Sequence, residues 1–291
     1  MIYIKLVFAM LFWGLAFCSG RILSQSYDPF VIAFLRFLSA SIVFIMLMYY
    51  RNREFYKLSI IQHLKVMFLG LTGVFLYNYF FFNGLKLIEA GRSAVIIGTN
   101  PAVSTLIAIL FLGEPFSYKK IIGIVFAFCG VSVVISHGSL DTLLSMSINE
   151  GEIYIIAAVF SWVTYTVAGK IVLKKLTSLE ASAWASIWGM IFLIPFALNS
   201  GLEMDISRMS FIEWGHILNL GLLATFLGFI WYYDGIKTIG VTKGSSFINL
   251  IPIFGISFGI IFLGEKPDWS LFFGAIIVIF GVFLVNKKEK V

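Results

Sequence analysis

The tetrapeptide Phe111-Leu112-Gly113-Glu114 occurs a second time in the chain, as Phe262-Leu263-Gly264-Glu265, 151 positions later. The agreement extends to both sides of the tetrapeptide at the same offset. The further pairs are Pro101 with Pro252, Gly123 with Gly274, Gly130 with Gly281, and Val131 with Val282. Both copies end an apolar segment. This internal similarity predicts a chain built from two copies of one helical unit.

The composition is typical of a membrane protein. Hydrophobic residues make up 60% of the chain and charged residues 12%, whereas a soluble domain is about half apolar and a quarter charged. Apolar runs of about twenty residues, long enough to cross a hydrocarbon core of about 30 Å, recur along the whole chain. They predict an all-α integral membrane protein with ten helices, over residues 3–22, 29–49, 66–85, 94–112, 119–136, 151–172, 180–198, 214–234, 244–263 and 270–286.

The first apolar segment has a cleaved signal peptide as its alternative interpretation. Residues 3–22 are longer than the apolar region of a signal peptide, and no small-residue cleavage site follows them. We therefore predict a membrane helix here. Cys18 and Cys129 lie in apolar segments without a CxxC pair, and we expect them to pack as small hydrophobic side chains.

The distribution of charge predicts the orientation in the membrane. The net charge is +6. Of the 21 lysines and arginines, Arg21, Lys86, Arg92, Arg208 and Lys266 fall on one side of the predicted helices, Arg36 lies within a helix, and all others fall on the opposite side. By the positive-inside rule, the side with the larger number, which includes both termini, faces the cytoplasm. The basic excess thus orients the protein, and we predict no nucleic-acid partner.

Each half of the chain contains five predicted helices, and this odd number has a consequence for the mechanism. The second copy must enter the membrane from the opposite side, so we predict two inverted five-helix repeats, over residues 1–138 and 150–288. Inverted copies that exchange conformations open a central cavity to one side and then to the other, which is alternating access. The alternative is that the duplication only enlarged a stable bundle.

The landmarks of the two halves resemble those of the EamA family of the drug/metabolite transporter superfamily. They are Trp13-Gly14, Arg36-Phe37, Pro101, the Leu-Gly-Glu tripeptides at 112–114 and 263–265, and the paired glycines near the end of each half. The resemblance covers essentially the whole chain. It implies a bacterial inner-membrane carrier, often an exporter of amino acids or other small metabolites, with a cavity lined by the first, third, fourth, sixth, eighth and ninth helices. It implies no particular substrate.

Arg36 lies inside the second predicted helix and is the one intramembrane cation. A charge near a helix centre costs about 2.5–3.5 kcal/mol on the insertion scale, so such residues are candidate sites. Arg36 is therefore a candidate partner for a substrate carboxylate. Structural bracing of helix ends is the alternative, and the repeat favours it, because the equivalent position in the second half is Ala185.

Two prolines at equivalent positions interrupt the fourth and ninth predicted helices. Pro101 and Pro252 each remove a backbone donor and leave a carbonyl one turn earlier without its partner, so we predict that they act as hinges. Asn100 and Asn249 lie beside them, and each side-chain amide can bond either the freed backbone or a substrate. We include both asparagines among the predicted substrate-binding residues.

Aromatic side chains supply the remaining predicted cavity residues, which are Trp13, Tyr77, Trp162 and Tyr165, together with Asn78. An apolar cavity with a few polar groups is what a small-molecule site requires. Plain packing in the bundle, or an aromatic belt at the membrane interface, is the alternative. In the row Trp231-Tyr232-Tyr233-Asp234, we assign Tyr233 and Asp234 to that belt.

The glutamates and glycines of the repeated motifs receive structural roles. Glu114 and Glu265 fall where apolar runs stop, so we expect helix-end capping or fixing of the following loop rather than proton transfer. Gly123 and Gly130 share a helix face, as do Gly274 and Gly281, and allow close helix contact. The sequence leaves open whether this contact joins the two halves or two protomers, so both a monomer and a homodimer remain possible.

The chain lacks the features of other functional classes. No acidic residue lies near the centre of a predicted helix, which disfavours cation/proton exchange through a membrane glutamate and favours neutral, zwitterionic or anionic substrates. His63, His137 and His216 show no metal-ligand spacing, so we predict no cofactor, no metal and no enzyme. A channel lacks support as well, because nothing in the sequence resembles a carbonyl filter or a ring of charges.

The predicted function is secondary transport of amino acids or similar small metabolites, with export favoured by family analogy. Drug/metabolite antiport and import of another organic solute remain alternatives.

Overall fold

The structure is a computed structural model that describes residues 1–52, 58–111, 117–139, 148–240 and 244–286. Within these residues the chain is helical and contains no strand. The first Leu-Gly-Glu tripeptide, including Glu114, and the predicted end of the second repeat at residue 288 lie outside the described residues.

We number ten helical segments in chain order. They are α1 Ile2–Ser24, α2 Pro29–Asn52, α3 Ile60–Leu87, α4 in two pieces (Ala90–Ile97 and Asn100–Phe111), α5 Tyr118–Ile135, α6 Glu150–Val172, α7 Ser178–Asn199, α8 Phe211–Ile239, α9 Ser246–Leu263 and α10 Trp269–Asn286. A short helix, Leu202–Arg208, lies between α7 and α8. Eight of the ten, all but α4 and α10, are long and apolar enough to cross a membrane in the part of the chain that is described.

The segment predicted as one helix over 94–112 differs from the prediction. It begins earlier, at Ala90, and is interrupted at Gly98-Thr99, just before Pro101. The interruption follows from the missing N–H of proline and from its steric effect on the preceding turn. The equivalent segment α9 begins with a 3-10 turn, Ser246–Asn249, before the α-helix that contains Pro252.

Side-chain caps determine where several helices begin. The helices α3, α6, α7 and α8 follow Ser59, Asn149, Thr177 and Ser210, and each of these forms a capping box with a Gln or Glu three residues later. The reciprocal bonds satisfy backbone donors that the first helical turn leaves free. Ser59 and Ser210 are also separated by 151 positions, so the duplication includes the cap.

Two helices contain π-helical stretches at equivalent positions, Gly70–Leu76 in α3 and Asn219–Leu227 in α8. A π-helical turn bonds each N–H to the carbonyl five residues earlier and widens the helix, and such turns are frequent at functional sites. In α8, the Thr225 hydroxyl donates to the Leu220 carbonyl oxygen at 2.9 Å. Both stretches face the interior of the bundle, where Gly73 packs against the ring of Tyr165.

Equivalent helices of the two halves pack against each other. Gly123 of α5 approaches Gly281 of α10, and a Cβ on Gly130 would lie 2.7 Å from the carbonyl oxygen of Gly274. Gly130 follows Gly123 in α5, whereas its partner Gly274 precedes Gly281 in α10. The two helices therefore run antiparallel. The glycine stripes therefore join the two halves of one chain, which answers the question that the sequence left open about these glycines.

The helices α2 and α7 form a second antiparallel pair of equivalents. Phe30 at the start of α2 stacks on Phe196 near the end of α7, with ring centroids 4.9 Å apart. Phe44, further along α2, packs instead with Leu179 and Ala183 near the start of α7. These two pairs flank a core in which α1 contacts α8 and α9, while α6 contacts α3 and α4.

Candidate functional site

A cavity lies between the two halves at the centre of the bundle. It is lined by Trp13, Ala16, Phe17, Arg36, Tyr77, Phe81, Ile97, Asn100, Trp162, Phe229, Ile248 and Ile251. The volume of this cavity is about 30 Å³, room for about two water molecules. The site is therefore constricted in this conformation and must widen to accept a molecule larger than water.

Arg36 of α2 is the charged group of this cavity. Its side chain is 3% exposed. The Nε–H donates to Thr225 Oγ1 at 2.7 Å, and Nη1 donates to Asn78 Oδ1 at 2.9 Å. Asn78 is held in turn by its Nδ2, which donates to the Val74 carbonyl oxygen at 2.7 Å. Both π-helical stretches thus contribute to fixing the guanidinium group, one through Thr225 and the other through Val74.

The partners of Arg36 are all neutral. Among the described residues no carboxylate forms an ion pair with it. Removing a charge from water costs several kcal/mol unless an opposite charge or several hydrogen bonds compensate. Arg36 has two hydrogen bonds and lies 5.2 Å from the centre of the Phe37 ring, but it has no counter-charge among the described residues, so its positive charge is only partly compensated.

Asn100 of α4 repairs the break that Pro101 causes. Proline has no N–H for the carbonyl of Ile97, and Asn100 Nδ2 donates to this oxygen at 2.8 Å. This bond fixes the orientation of the amide, and Asn100 Oδ1 is left buried without a hydrogen-bond partner. Burying an acceptor in this way costs about 1–3 kcal/mol.

The interrupted turn of α4 is in contact with Pro252 of α9. A Cβ on Gly98 would lie 2.7 Å from Cγ of Pro252, so the interrupted turn of α4 packs directly on the proline of α9. Asn249 is half-buried beside this contact, and its Oδ1 also lacks a partner. The turn before Pro101 therefore lies against Pro252, and Ile248 and Ile251 of the same helix α9 line the cavity.

Trp13 of α1 and Trp162 of α6 stand edge to face, with ring centroids 5.3 Å apart. The Trp13 indole N–H donates to the carbonyl oxygen of Ala224, in the π-helical stretch of α8, at 2.8 Å. Trp162 also contacts Tyr77 at 5.1 Å and Tyr165 at 5.0 Å between ring centroids. These rings form the aromatic wall of the cavity.

The structure brings five of the eight predicted substrate-binding residues into the cavity lining, namely Trp13, Arg36, Tyr77, Asn100 and Trp162. Asn78 reaches the cavity through Arg36, Tyr165 packs behind Trp162, and Asn249 adjoins Ile248. Thr225, Phe81 and Phe229 were missed by the sequence reasoning. The position of Phe81 in the aromatic row of α3 was a usable signal, whereas nothing in the sequence relates Thr225 to Arg36.

The assignment of Tyr233 to an interfacial belt is wrong. Its side chain is 1% exposed and stacks on Tyr165 with ring centroids 5.4 Å apart. The reason is that α8 presents Tyr232 and Tyr233 to the interior, a consequence of its contacts with α1 and α6. Asp234 is partly exposed and forms an ion pair with Lys5 at 3.3 Å.

Glu265 caps a helix of the other half of the chain. Its carboxylate accepts hydrogen bonds from the backbone N–H groups of Ala90 at 2.7 Å and Gly91 at 3.0 Å, the first residues of α4. Burial raises the pKa of this carboxyl, and the two N–H donors only partly counteract the rise. The expected capping role is therefore found, but across the interface between the halves.

Asp268 lies near Glu265 in the chain and connects three helices. It forms an ion pair with Arg92 of α4 at 3.3 Å, and the same carboxylate oxygen lies 3.1 Å from Nδ1 of His137. Its other oxygen accepts from the Ser270 hydroxyl at 2.6 Å and the Leu271 N–H at 2.9 Å. Burial acts to raise the pKa of Asp268, but these hydrogen bonds and the charge of Arg92 lower it to about 2.

We expect the thermal stability of the protein to fall when the pH is lowered below about 4, in part through Asp268. A carboxyl whose pKa is depressed in the folded state stabilises above its ordinary value of 3.8 and loses this contribution as the pH falls towards 2. The measurement is the melting temperature in detergent at pH 5 and pH 3. Asp268→Asn should show a smaller drop than the wild type, and an equal drop would contradict this role.

The family model of the EamA-like transporter family matches the chain twice, over residues 1–136 and 149–287. The chain belongs to this family. The resemblance stated from the sequence landmarks is thereby confirmed, and the EamA-like chain is a multi-pass membrane protein and a membrane transporter. Its helical repeats, its apolar spans and its internal cavity agree with that assignment.

Relatives of this EamA-like chain are named as transporters. YyaM of Bacillus subtilis (strain 168), an uncharacterized transporter, is 32% identical over 290 residues, covering 98% of this chain and 93% of its own length. An uncharacterized transporter of Archaeoglobus fulgidus is also 32% identical, covering 99% and 98%. A probable terminal-alkyne amino-acid exporter of Streptantibioticus cattleyicolor is 26% identical over 219 residues, covering 75% and 71%.

The fold also matches a solved structure. A crystal structure aligns with a TM-score of 0.70 at 16% sequence identity, covering 98% of this chain and 96% of the other. At this identity the match shows a shared fold and supplies no substrate.

Proposed function

We propose that the protein is a secondary transporter that works by alternating access and moves amino acids or similar small metabolites. The observation that carries the proposal is the central cavity between two equivalent halves. It combines an aromatic wall, one buried cation and one unpaired buried acceptor. Such a site suits a small organic solute with a few polar groups.

We infer that the two halves, residues 1–138 and 150–288, are inverted repeats with ten membrane helices in total. The antiparallel pairing of α5 with α10 and of α2 with α7 supports this, because equivalent helices that run in opposite directions imply a two-fold axis across the bundle. Trp13 and Trp162 are themselves equivalent at an offset of 149 and touch each other. The axis would therefore pass through the cavity, as alternating access requires.

The proposed location is a bacterial cytoplasmic membrane, with both termini in the cytoplasm. The distribution of lysines and arginines supports this orientation.

Export is the proposed direction, supported by the name of the Streptantibioticus relative. The chain would act as a monomer or a homodimer. Because α5 and α10 use their glycines within the chain, the intact cavity needs no second copy.

The proposed substrate-binding residues are Trp13, Arg36, Tyr77, Asn78, Asn100, Trp162, Tyr165 and Asn249. Pro101 and Pro252 are the proposed hinges, since α4 is interrupted just before Pro101, α9 changes from a 3-10 turn to an α-helix just before Pro252, and the interrupted turn of α4 packs on Pro252. Movement at this contact would widen the constricted cavity towards one face and close it towards the other. Glu265 would hold one such closure, because it joins the end of α9 to the start of α4.

Counterflow in liposomes tests the proposed function. Purified protein is reconstituted with a high internal concentration of an unlabelled amino acid, and uptake of the labelled form is followed. A carrier gives transient, saturable accumulation against the gradient, whereas a channel gives conductance and an enzyme changes the solute. The absence of counterflow for every amino acid and small metabolite in a broad panel would contradict the proposal.

Topology reporters test the inversion separately. Fusions placed after Glu114 and after Glu265 should report opposite faces of the membrane, with the fusion after Glu114 in the cytoplasm. Reporters on the same face would rule out inverted repeats.

A further inference from the structure

We propose that the cavity is built for the two charged ends of a zwitterion. Arg36 would bind the carboxylate of an α-amino acid, and Asn100 Oδ1 would accept its ammonium group, with an apolar side chain against the aromatic wall. This inference rests on the proposed function and assigns the substrate class and the polarity of the same site.

The guanidinium of Arg36 has donors left for a carboxylate. An arginine carries five N–H donors, and within the described residues its hydrogen bonds involve only Nε and Nη1. Nη2 donates no hydrogen bond to a described residue. Thr225 and Asn78 hold Nε and Nη1, so Arg36 is fixed in position before a ligand arrives. A fixed guanidinium suits a carboxylate because the two groups have matching planar geometry.

The missing counter-charge is the second argument. A structural arginine in a membrane bundle is normally paired with an acidic side chain or placed near water. Arg36 is buried, and its partners Thr225 and Asn78 are both uncharged. A bound carboxylate would supply the absent negative charge. The two hydrogen bonds and the ring of Phe37 compensate part of the cost of burying the cation. A carboxylate would compensate more of it, which favours an anionic group at this position.

Asn100 supplies the opposite end. Because its Nδ2 is committed to the carbonyl oxygen of Ile97, its carbonyl oxygen points away from that bond, and it is a buried acceptor with no donor. An ammonium group provides such a donor. Trp13 and Trp162 line the same cavity, and aromatic rings attract cations. One end of the site thus offers a cation with free donors, and the other end offers a free acceptor.

The rest of the lining limits the side chain of the ligand. Apart from Arg36, Tyr77 and Asn100, the lining residues are apolar or tryptophan, and none is acidic. A second positive charge on the ligand would therefore lack a partner, and a second carboxylate would have no second cation. The site selects amino acids with uncharged, apolar side chains.

The test measures binding of matched ligands to the purified full-length protein by thermal shift in detergent. For each of L-leucine, L-methionine and L-phenylalanine, the partners are the amine that lacks the carboxylate and the acid that lacks the amino group. The wild type should bind at least one of these amino acids at least about thirtyfold more tightly than its amine, the factor expected for loss of one partner of a buried charge pair.

The variants separate ligand contact from bracing. In Arg36→Gln the advantage of the amino acid over the amine should shrink to about threefold or less. Arg36→Lys keeps the positive charge but loses the planar fork, so its advantage should lie between those of Arg36→Gln and the wild type. Thr225→Val removes a brace and should lower stability but keep the advantage. In Asn100→Ala the advantage of the amino acid over the deaminated acid should fall about tenfold. Each advantage is a ratio measured on one variant, so general destabilisation does not mimic the effect.

The outcomes distinguish this inference from the proposed function. If counterflow occurs but amines or esters compete as well as amino acids, the zwitterion site is wrong and the carrier stands. An unchanged ratio in Arg36→Gln overturns the role of Arg36, and binding of no member of the panel overturns the inference. If no solute shows counterflow at all, the proposed function itself fails.

Discussion

Gly281→Leu should leave little folded protein. A Cβ at this position would lie 2.5 Å from the backbone nitrogen of Ala127 and 2.6 Å from the carbonyl oxygen of Gly123. These are main-chain atoms of α5, so they yield only if the two helices separate. Overpacking of a tight core costs about 1–3 kcal/mol and occasionally more, and this backbone contact places the variant at the upper end. The measurement is the yield and melting temperature of monodisperse protein in detergent.

Gly215→Ala is the matched control. Gly215 is also in a helix, but a Cβ there would meet nothing within 4 Å. We expect no loss of stability and a gain of about 0.5–1 kcal/mol, because alanine is the better helix former. If Gly281→Leu were as stable as the wild type, α5 and α10 would not pack through their glycine stripes.

The class of the protein and the duplication were readable from the sequence, because both depend on composition and on a fixed offset. The glycine stripes were readable as a contact surface, but their partner was not. Small residues permit close approach to any helix, in the same chain or in another. Only the fold showed that Gly123 meets Gly281 rather than its counterpart in a second copy.

The cavity was partly readable. Arg36, Asn100 and the two tryptophans were recognisable because a buried charge, a proline break and a repeated aromatic are unusual in an apolar span. The hydrogen bond that braces Arg36 could not be predicted, because it depends on a π-helical turn that brings Thr225 to the guanidinium. A π-helical turn has no sequence pattern as clear as the apolar period of an α-helix.

Tyr233 and Glu265 also show what the sequence could not predict, namely which residues of other helices they contact. Both were interpreted from their place near the end of an apolar run, which indicates depth in the membrane but not direction around the helix. Packing against α6 buries Tyr233, and the start of α4 gives the Glu265 carboxylate its two donors. Contacts between distant parts of the chain decided both outcomes.

Trp162→Ala should abolish or strongly reduce transport. Trp162 is the ring that joins the aromatic wall, with contacts to Trp13, Tyr77, Tyr165 and Phe229 at centroid distances of 5.0–5.4 Å. Truncating a large buried aromatic to alanine costs about 3–5 kcal/mol of stability. It also removes dispersion contacts from any ligand in the cavity. We expect ligand affinity to weaken about tenfold or more, which corresponds to 1.4 kcal/mol.

Trp231→Ala provides the comparison for Trp162→Ala. Trp231 lies on α8 outside the cavity lining, where it stacks on Phe12. Trp231→Ala removes the same number of atoms as Trp162→Ala, so a general effect of tryptophan truncation would appear in both variants. Trp162→Phe keeps a ring in the wall and gives a folded alternative if the alanine variant is too unstable. Counterflow rates and ligand affinities of folded protein are compared at equal amounts in liposomes. Equal transport by the wild type, Trp162→Ala and Trp162→Phe would place the substrate path elsewhere, because a ring in contact with both halves cannot be removed from the path without consequence.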